Sequence, residues 1–173
     1  GLRPIEARRL KRSDVNLNTG RIFICESKYN KERIIYAPDD LMDFTQNYLA
    51  QIVPVFPDSE AMFVDRKGNP FSQSVHQYLF EHCRDRSGIK AIGTRQPNLY
   101  SFRHSFATHR IYQWHKEGKD IDAFLPGLSA YMGHSHYSHT LYYLHLLPEI
   151  FSDMTGFDFE RFSSIIPEVD SDD

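Results

Sequence analysis

Apolar residues recur at helical spacing through most of this chain and crowd into β-rich runs near its start. Residues 4–12 set Ile5 and Leu10 inward and Arg8, Arg9, Lys11 and Arg12 outward, which predicts a short helix. The runs RIFICES and KERIIYAP favour strands, and KYN joins them as a hairpin. DDLMDFTQNYLAQI carries apolar residues near helical spacing and acids in its first turn, so a helix is expected over about 39–52. PVFPDSE reads as a loop, AMFV as a short strand or buried run, and DRKGNP as a turn. SQSVHQYLFEHCRDRSG predicts a helix with a Ser cap and a Gly stop. The loop GIKAIGTRQPN leads to a helix over about 101–117. DIDAFLPGLSAYMG follows as a helix capped by Asp120, then SHTLYYLHL after a Gly-His break. PEIFSDMTGFDFERFSSIIPEV is aromatic-rich and helical in part. The sum is a mainly α chain with one small antiparallel β-sheet near the N-terminus, an α+β class.

With 173 residues, 40% of them hydrophobic and 25% charged, the chain is long enough for one domain with a real core. No apolar run reaches the roughly 18 residues of a membrane span, and no signal peptide is present. The sequence opens on Gly1 rather than Met and is read as a piece of a longer protein. Cys25 and Cys83 stand alone and far apart. That makes neither a disulfide framework nor a zinc site and suits a reducing cytosol. The net charge of −3 hides an asymmetry: residues 149–173 hold eight acids and one base, and residues 1–148 hold 15 acids and 19 bases. A mildly basic body can bind a polyanion locally despite an acidic tail. The closing EVDSDD reads as a solvated, frayed terminus.

The stretch PNLYSFRHSFATHRIYQWH places Tyr100, Arg103 and His104 at the start of a helix, where a core helix needs no such charge pair. No Gly-rich phosphate loop with its lysine appears, no Gly-x-Ser-x-Gly elbow, and no paired carboxylates in a plausible cleft. What remains is Arg3, Lys28, Arg103, His104, His134 and the pair Tyr142–Tyr143, a cationic and donor-rich inventory. It suits a phosphoryl transition state, whose non-bridging oxygens gather negative charge that two guanidiniums can clamp. A tyrosine can then serve as nucleophile. The histidines of HSHYSH raise a metal reading, but no Asp or Glu lies within the run to complete a ligand set, so no metal and no cofactor are expected.

These residues, in this order, resemble the catalytic domain of the tyrosine recombinase (phage integrase) family. GLRPIEARRL resembles the first arginine motif, with Arg3 as the arginine and Glu6 as the acid three residues on. SKYNKERIIYAP resembles the hairpin lysine motif, with Lys28 as the lysine. YSFRHSFATH resembles the motif of the second arginine, Arg103. LSAYMGHSHYSHTLYYLH resembles the Gly-His box and nucleophile motif, with His134 in the box and Tyr143 nine residues later. The run LPGLSAYMGH…YYLHLLPEIF further resembles recombinases of transposon-type mobile elements. The resemblance covers about 1–149 and leaves 150–173 as a C-terminal segment.

The resemblance implies site-specific recombination of double-stranded DNA, by cleavage and rejoining through a 3′-phosphotyrosine. Arg3 and Arg103 would clamp the phosphate, Lys28 would protonate the leaving 5′ oxygen, His134 would donate to a phosphate oxygen, and Tyr143 would attack. Taken singly, each arginine could be a structural ion pair, Lys28 an exposed hairpin cation like Lys31 or Arg33, and Tyr142 a core residue. Adjacent helix residues point ~100° apart, so Tyr142 and Tyr143 cannot both face one cleft. Tyr100 departs from the histidine usual at its position; a phenol is a poor base at neutral pH but donates a hydrogen bond. The family further implies a DNA-binding domain preceding this segment, and a tetramer on DNA joined through residues 150–173. With that preceding domain absent, DNA affinity should be weak and fall steeply with salt. A cytoplasmic, nucleoid-associated bacterial protein with no membrane partner fits this picture. The competing readings are a type IB topoisomerase-like enzyme and a DNA-binding domain that has lost catalysis.

Overall fold

The computed structural model describes residues 1–25, 32–91 and 96–147. The chain divides into two compact units, an N-terminal one of Leu2–Ser101 and a C-terminal one of Gly1 with the residues from Phe102 onward.

In the N-terminal unit, helix α1 (Pro4–Arg9) starts with Pro at its first position, where the missing N–H costs nothing. It stops at Arg9 rather than continuing to residue 12. Arg12–Asp14 instead form a 3-10 turn, with the Asp14 carboxylate accepting the Lys11 N–H at 2.8 Å. Strands β1 (Val15–Asn16), β2 (Arg21–Ile24) and β3 (Arg33–Tyr36) follow as an antiparallel sheet in the order β1-β2-β3. Ile22 pairs with Ile35, and Ile24 with Arg33. The β1–β2 turn needs Gly20, whose φ is 66° and where a Cβ would lie 2.7 Å from the Ala37 carbonyl oxygen. Helix α2 (Asp39–Ile52) coincides with the span its periodicity predicts. Helix α3 (Gln73–Arg86) is capped by Ser72, whose Oγ accepts from the Val75 N–H at 3.2 Å. AMFV forms no strand of its own; Ala61 and Val64 make single bridges to Lys11 and Pro70. Among its described residues, Leu10, Ile22, Ile24, Ile35, Met42, Met62 and Val64 are the buried apolar ones.

One expectation fails here. Ile5 is 40% exposed, and the residue that α1 buries is Glu6. The inward position is taken by a carboxylate because two arginines meet it there, as described below.

The C-terminal unit holds most of α4 (Leu99–Lys116), together with α5 (Ile121–Met132) and α6 (Ser138–His145). Asp120 caps α5, its Oδ1 accepting from the Ala123 N–H at 3.3 Å. Ala107, Ile111 and Trp114 line one face of α4, and Ile121, Leu125, Leu128 and Met132 one face of α5. Leu141, Tyr143 and Leu144 of α6 complete this core. Each fully buried Leu or Ile contributes about 1.5–3 kcal/mol. Eight residues are too few for a helix to stand alone in water, so α6 depends on its packing against α5.

Among the described residues, six helices and one three-stranded antiparallel sheet make the mainly α, α+β architecture expected from the pattern. No described helix is long and apolar enough to cross a membrane. The KYN turn with Lys28, and the C-terminal segment 150–173, lie outside the described residues.

Candidate active site

The C-terminal unit is organised around the guanidinium of Arg103, which is 4% exposed. Its Nη2 donates to the Met132 carbonyl oxygen at 2.8 Å, and its Nη1 to that of Gly1 at 2.6 Å. Met132 is the last residue of α5, so a cation sits against the negative end of that helix. The chain then reverses through Gly133, whose φ of 69° suits a residue without a Cβ. The Gly133 N–H donates to the Ala130 carbonyl, and the His134 N–H to that of Ser129 at 3.0 Å, which fixes the His134 backbone.

The His134 ring is held in turn. Its Nδ1 shares a hydrogen bond of 2.6 Å with Oγ1 of Thr140, a fully buried residue. Tyr143 lies three residues after Thr140, on the same face of α6. The residue is 4% exposed, and its ring lies against two imidazoles. The His104 ring centroid is 5.6 Å away with the planes tilted by 55°, and that of His134 is 6.1 Å away with the planes nearly parallel at 20°. These are the separations at which aromatic pairs attract. Tyr142 is only partly buried, its ring 5.9 Å from that of Tyr143. Burial of His104, and then the charge of Arg103 beside it, hold its pKa below the usual histidine value. Its Nδ1 is enclosed and has no hydrogen-bond partner. His139 packs edge-on against His134, and His136 stays in the exposed turn. Among the described residues no group of three His, Cys, Asp or Glu is arranged to hold a metal ion.

A second polar centre occupies the N-terminal unit. Glu6 accepts from Arg3 Nη1 at 3.0 Å and from the Arg3 N–H at 2.8 Å. Arg33 grips both carboxylate oxygens, through Nη1 at 2.9 Å and Nη2 at 2.7 Å. Burial works to raise the Glu6 pKa, but the hydrogen bonds from Arg33 and the Arg3 backbone, with both charges, outweigh it and bring it to about 2. A folded pKa below the unfolded one gives stability that is present above about pH 4.5 and is lost as pH falls toward 2. Glu6→Gln is therefore expected to lower unfolding stability at pH 7 by on the order of 2–3 kcal/mol and to flatten its decline between pH 5 and 2. Urea titrations of both proteins across that range check it, and parallel pH slopes would refute it.

Residues 1–149 match the Phage integrase family. The chain belongs to that family. A Sinorhizobium fredii protein carrying the name integrase/recombinase y4rE is 34% identical over 83% of this chain and 46% of its own length. Tyrosine recombinase XerC of Bradyrhizobium diazoefficiens is 30% identical over 93% of this chain and 43% of its own length. The chain thus spans under half the length of these relatives. Among solved structures, XerA recombinase superposes with a TM-score of 0.71 at 23% identity, over 91% of this chain and 53% of that one. XerH recombinase superposes with a TM-score of 0.68 at 21% identity, over 88% and 40%. These likenesses establish the fold as that of a tyrosine recombinase catalytic domain.

Within this integrase-family fold, Arg103, His134 and Tyr143 all belong to the C-terminal unit, 31 and 40 residues apart in sequence from Arg103. Arg3 stands in the N-terminal unit as the residue preceding α1, and Tyr100 is half-buried in the first turn of α4. Lys28 lies outside the described residues. Two contributors carry no motif of their own. Thr140 orients His134, and its signal is a small hydroxyl one turn before the tyrosine pair. Arg33 holds Glu6, and its signal is strand period: it shares a sheet face with buried Ile35, where an arginine needs a carboxylate.

Proposed function

We propose that residues 1–149 are the catalytic domain of a tyrosine-type site-specific DNA recombinase that integrates or excises a mobile element. The observation that carries the reading is the Tyr143 ring set against those of His104 and His134 in the same unit as the fixed guanidinium of Arg103. Family membership supports it, as do relatives named as recombinases, and XerH is solved with its difH substrate after cleavage.

The chemistry follows from the residue types. Tyr143 Oη bonds to the scissile phosphorus while the bond to the 5′ oxygen breaks. Lys28 gives that oxygen a proton, leaving a free 5′ hydroxyl and a 3′-phosphotyrosine. Arg3 and Arg103 neutralise the charge gathered on the non-bridging oxygens, and His134 and Tyr100 donate hydrogen bonds to them. The ester conserves the energy of the broken bond, so the reverse attack rejoins strands without ATP. Residues 150–173 link protomers into a tetramer on double-stranded DNA, and the protein works in the bacterial cytoplasm at the nucleoid.

The test uses the full-length protein and a nicked duplex carrying a site recovered by binding selection, so that the cleaved 5′ end diffuses away. A covalent protein–DNA band in EDTA, resistant to denaturant, is the expected result. Binding without any such band would replace the reading with a DNA-binding domain that does no chemistry.

A further inference from the structure

We propose that His104 is the proton acceptor for Tyr143 in the cleavage step. The inference rests on the recombinase reading above and assigns a role to a residue that reading leaves idle.

A tyrosine attacks phosphorus only as its O–H bond breaks, and a phenol with a pKa of about 10 is almost wholly protonated at neutral pH. A positioned base is worth about 10²–10⁴ in rate for such a step. Among the described residues, the rings of His104, His134 and Tyr142 stand against Tyr143 in the C-terminal unit. Tyr142 is itself a phenol and no better a base. His134 has its Nδ1 committed to Thr140 at 2.6 Å. His104 has an Nδ1 enclosed by protein with no hydrogen-bond partner. Buried polar atoms are nearly always paired, so the open Nδ1 leaves this imidazole with acceptor capacity unused in a ring 5.6 Å from that of the nucleophile.

The charges around His104 fit that role. The groups found against it are Arg103 beside it on α4 and Tyr143 on α6. Burial and the neighbouring guanidinium keep the imidazole neutral at pH 7, with a lone pair to offer. The same guanidinium penalises an imidazolium in the free protein. A bound phosphate brings negative charge that offsets the penalty when the proton arrives. His104 also follows Arg103 directly, and Arg103 is pinned by two carbonyls, so base and clamp share one rigid turn of helix. As the Oη–phosphorus bond forms, the phenol proton passes to the His104 imidazole. On rejoining, the imidazolium returns it to the departing tyrosine oxygen.

The experiment measures single-turnover adduct formation by the full-length protein on the nicked duplex, for native protein, His104→Ala and His104→Asn. Both variants are expected to react about 10²–10³-fold more slowly while binding the duplex as native protein does. Two readouts separate a proton acceptor from a structural residue. A 5′-bridging phosphorothiolate, whose leaving group needs no proton, should restore Lys28→Ala and leave His104→Ala slow. A fluorinated tyrosine of lower phenol pKa placed at 143 should speed His104→Ala more than native protein. Variants within about threefold of native protein would overturn the assignment, and so would a fluorotyrosine that gives no rescue. An inactive native protein would instead overturn the recombinase reading on which this one stands.

Discussion

Tyr143→Phe is expected to remove the covalent protein–DNA adduct completely, because no other atom in the Tyr143 ring can form the ester. The ring itself remains. It is 4% exposed within the core of the C-terminal unit, and phenylalanine fills the same space. Loss of one hydroxyl typically costs about 0.5–1.5 kcal/mol, so the melting temperature should drop by a few degrees at most. Tyr142→Phe is the paired control. Tyr142 is only partly buried and points about 100° away around α6, so its variant should retain the adduct. Gel analysis of trapped complexes, beside thermal melts of the same samples, decides the matter. An adduct lost in Tyr142→Phe and kept in Tyr143→Phe would move the nucleophile by one residue and leave the rest of the assignment standing.

Arg103→Ala should show losses in both activity and stability. Removing one donor that stabilises a developing oxyanion costs about 10²–10³ in rate, and a guanidinium offers two such donors. The structural loss comes from the same side chain. It satisfies the carbonyl that ends α5, and a buried carbonyl left without a donor costs about 1–3 kcal/mol. Arg103→Lys tests the geometry rather than the charge. An ammonium is a point charge and cannot span the Met132 and Gly1 carbonyls in a planar fork. It should therefore recover little of the rate, though DNA affinity at low salt should stay near that of native protein. Native-like cleavage by Arg103→Lys would show that charge alone suffices at this position.

The sequence made the local features legible and left the distant pairings hidden. Helix α2 and the Ser72 and Asp120 caps follow from signals confined to a few residues, which is why their positions were readable. Of the residues that the motif resemblance groups together, Arg103, His134 and Tyr143 lie in the C-terminal unit, and Arg3 and Tyr100 in the N-terminal one. Glu6 and Arg33 are 27 residues apart, and nothing local to α1 announces that its inward residue is an acid. That is why Ile5 was expected inside and is found outside. Strand β1 is two residues long, below the length at which alternation can be seen. Thr140 was invisible for a different reason: a threonine on a helix has no chemistry until its neighbour across the turn is known.

The left-handed turn at Gly133 also bears on how this protein can drift over generations. Every missense change that one base substitution can make in a glycine codon adds a Cβ where φ is 69°. Asparagine tolerates that conformation best among residues with side chains, but its codons lie two substitutions away. Aspartate tolerates it too and is one substitution away from GGC or GGT, yet it would set a negative charge beside His134, which the proposed mechanism turns toward a phosphate. The codon at 133 is thus held from both sides, by backbone geometry against most replacements and by electrostatics against the one that geometry would admit.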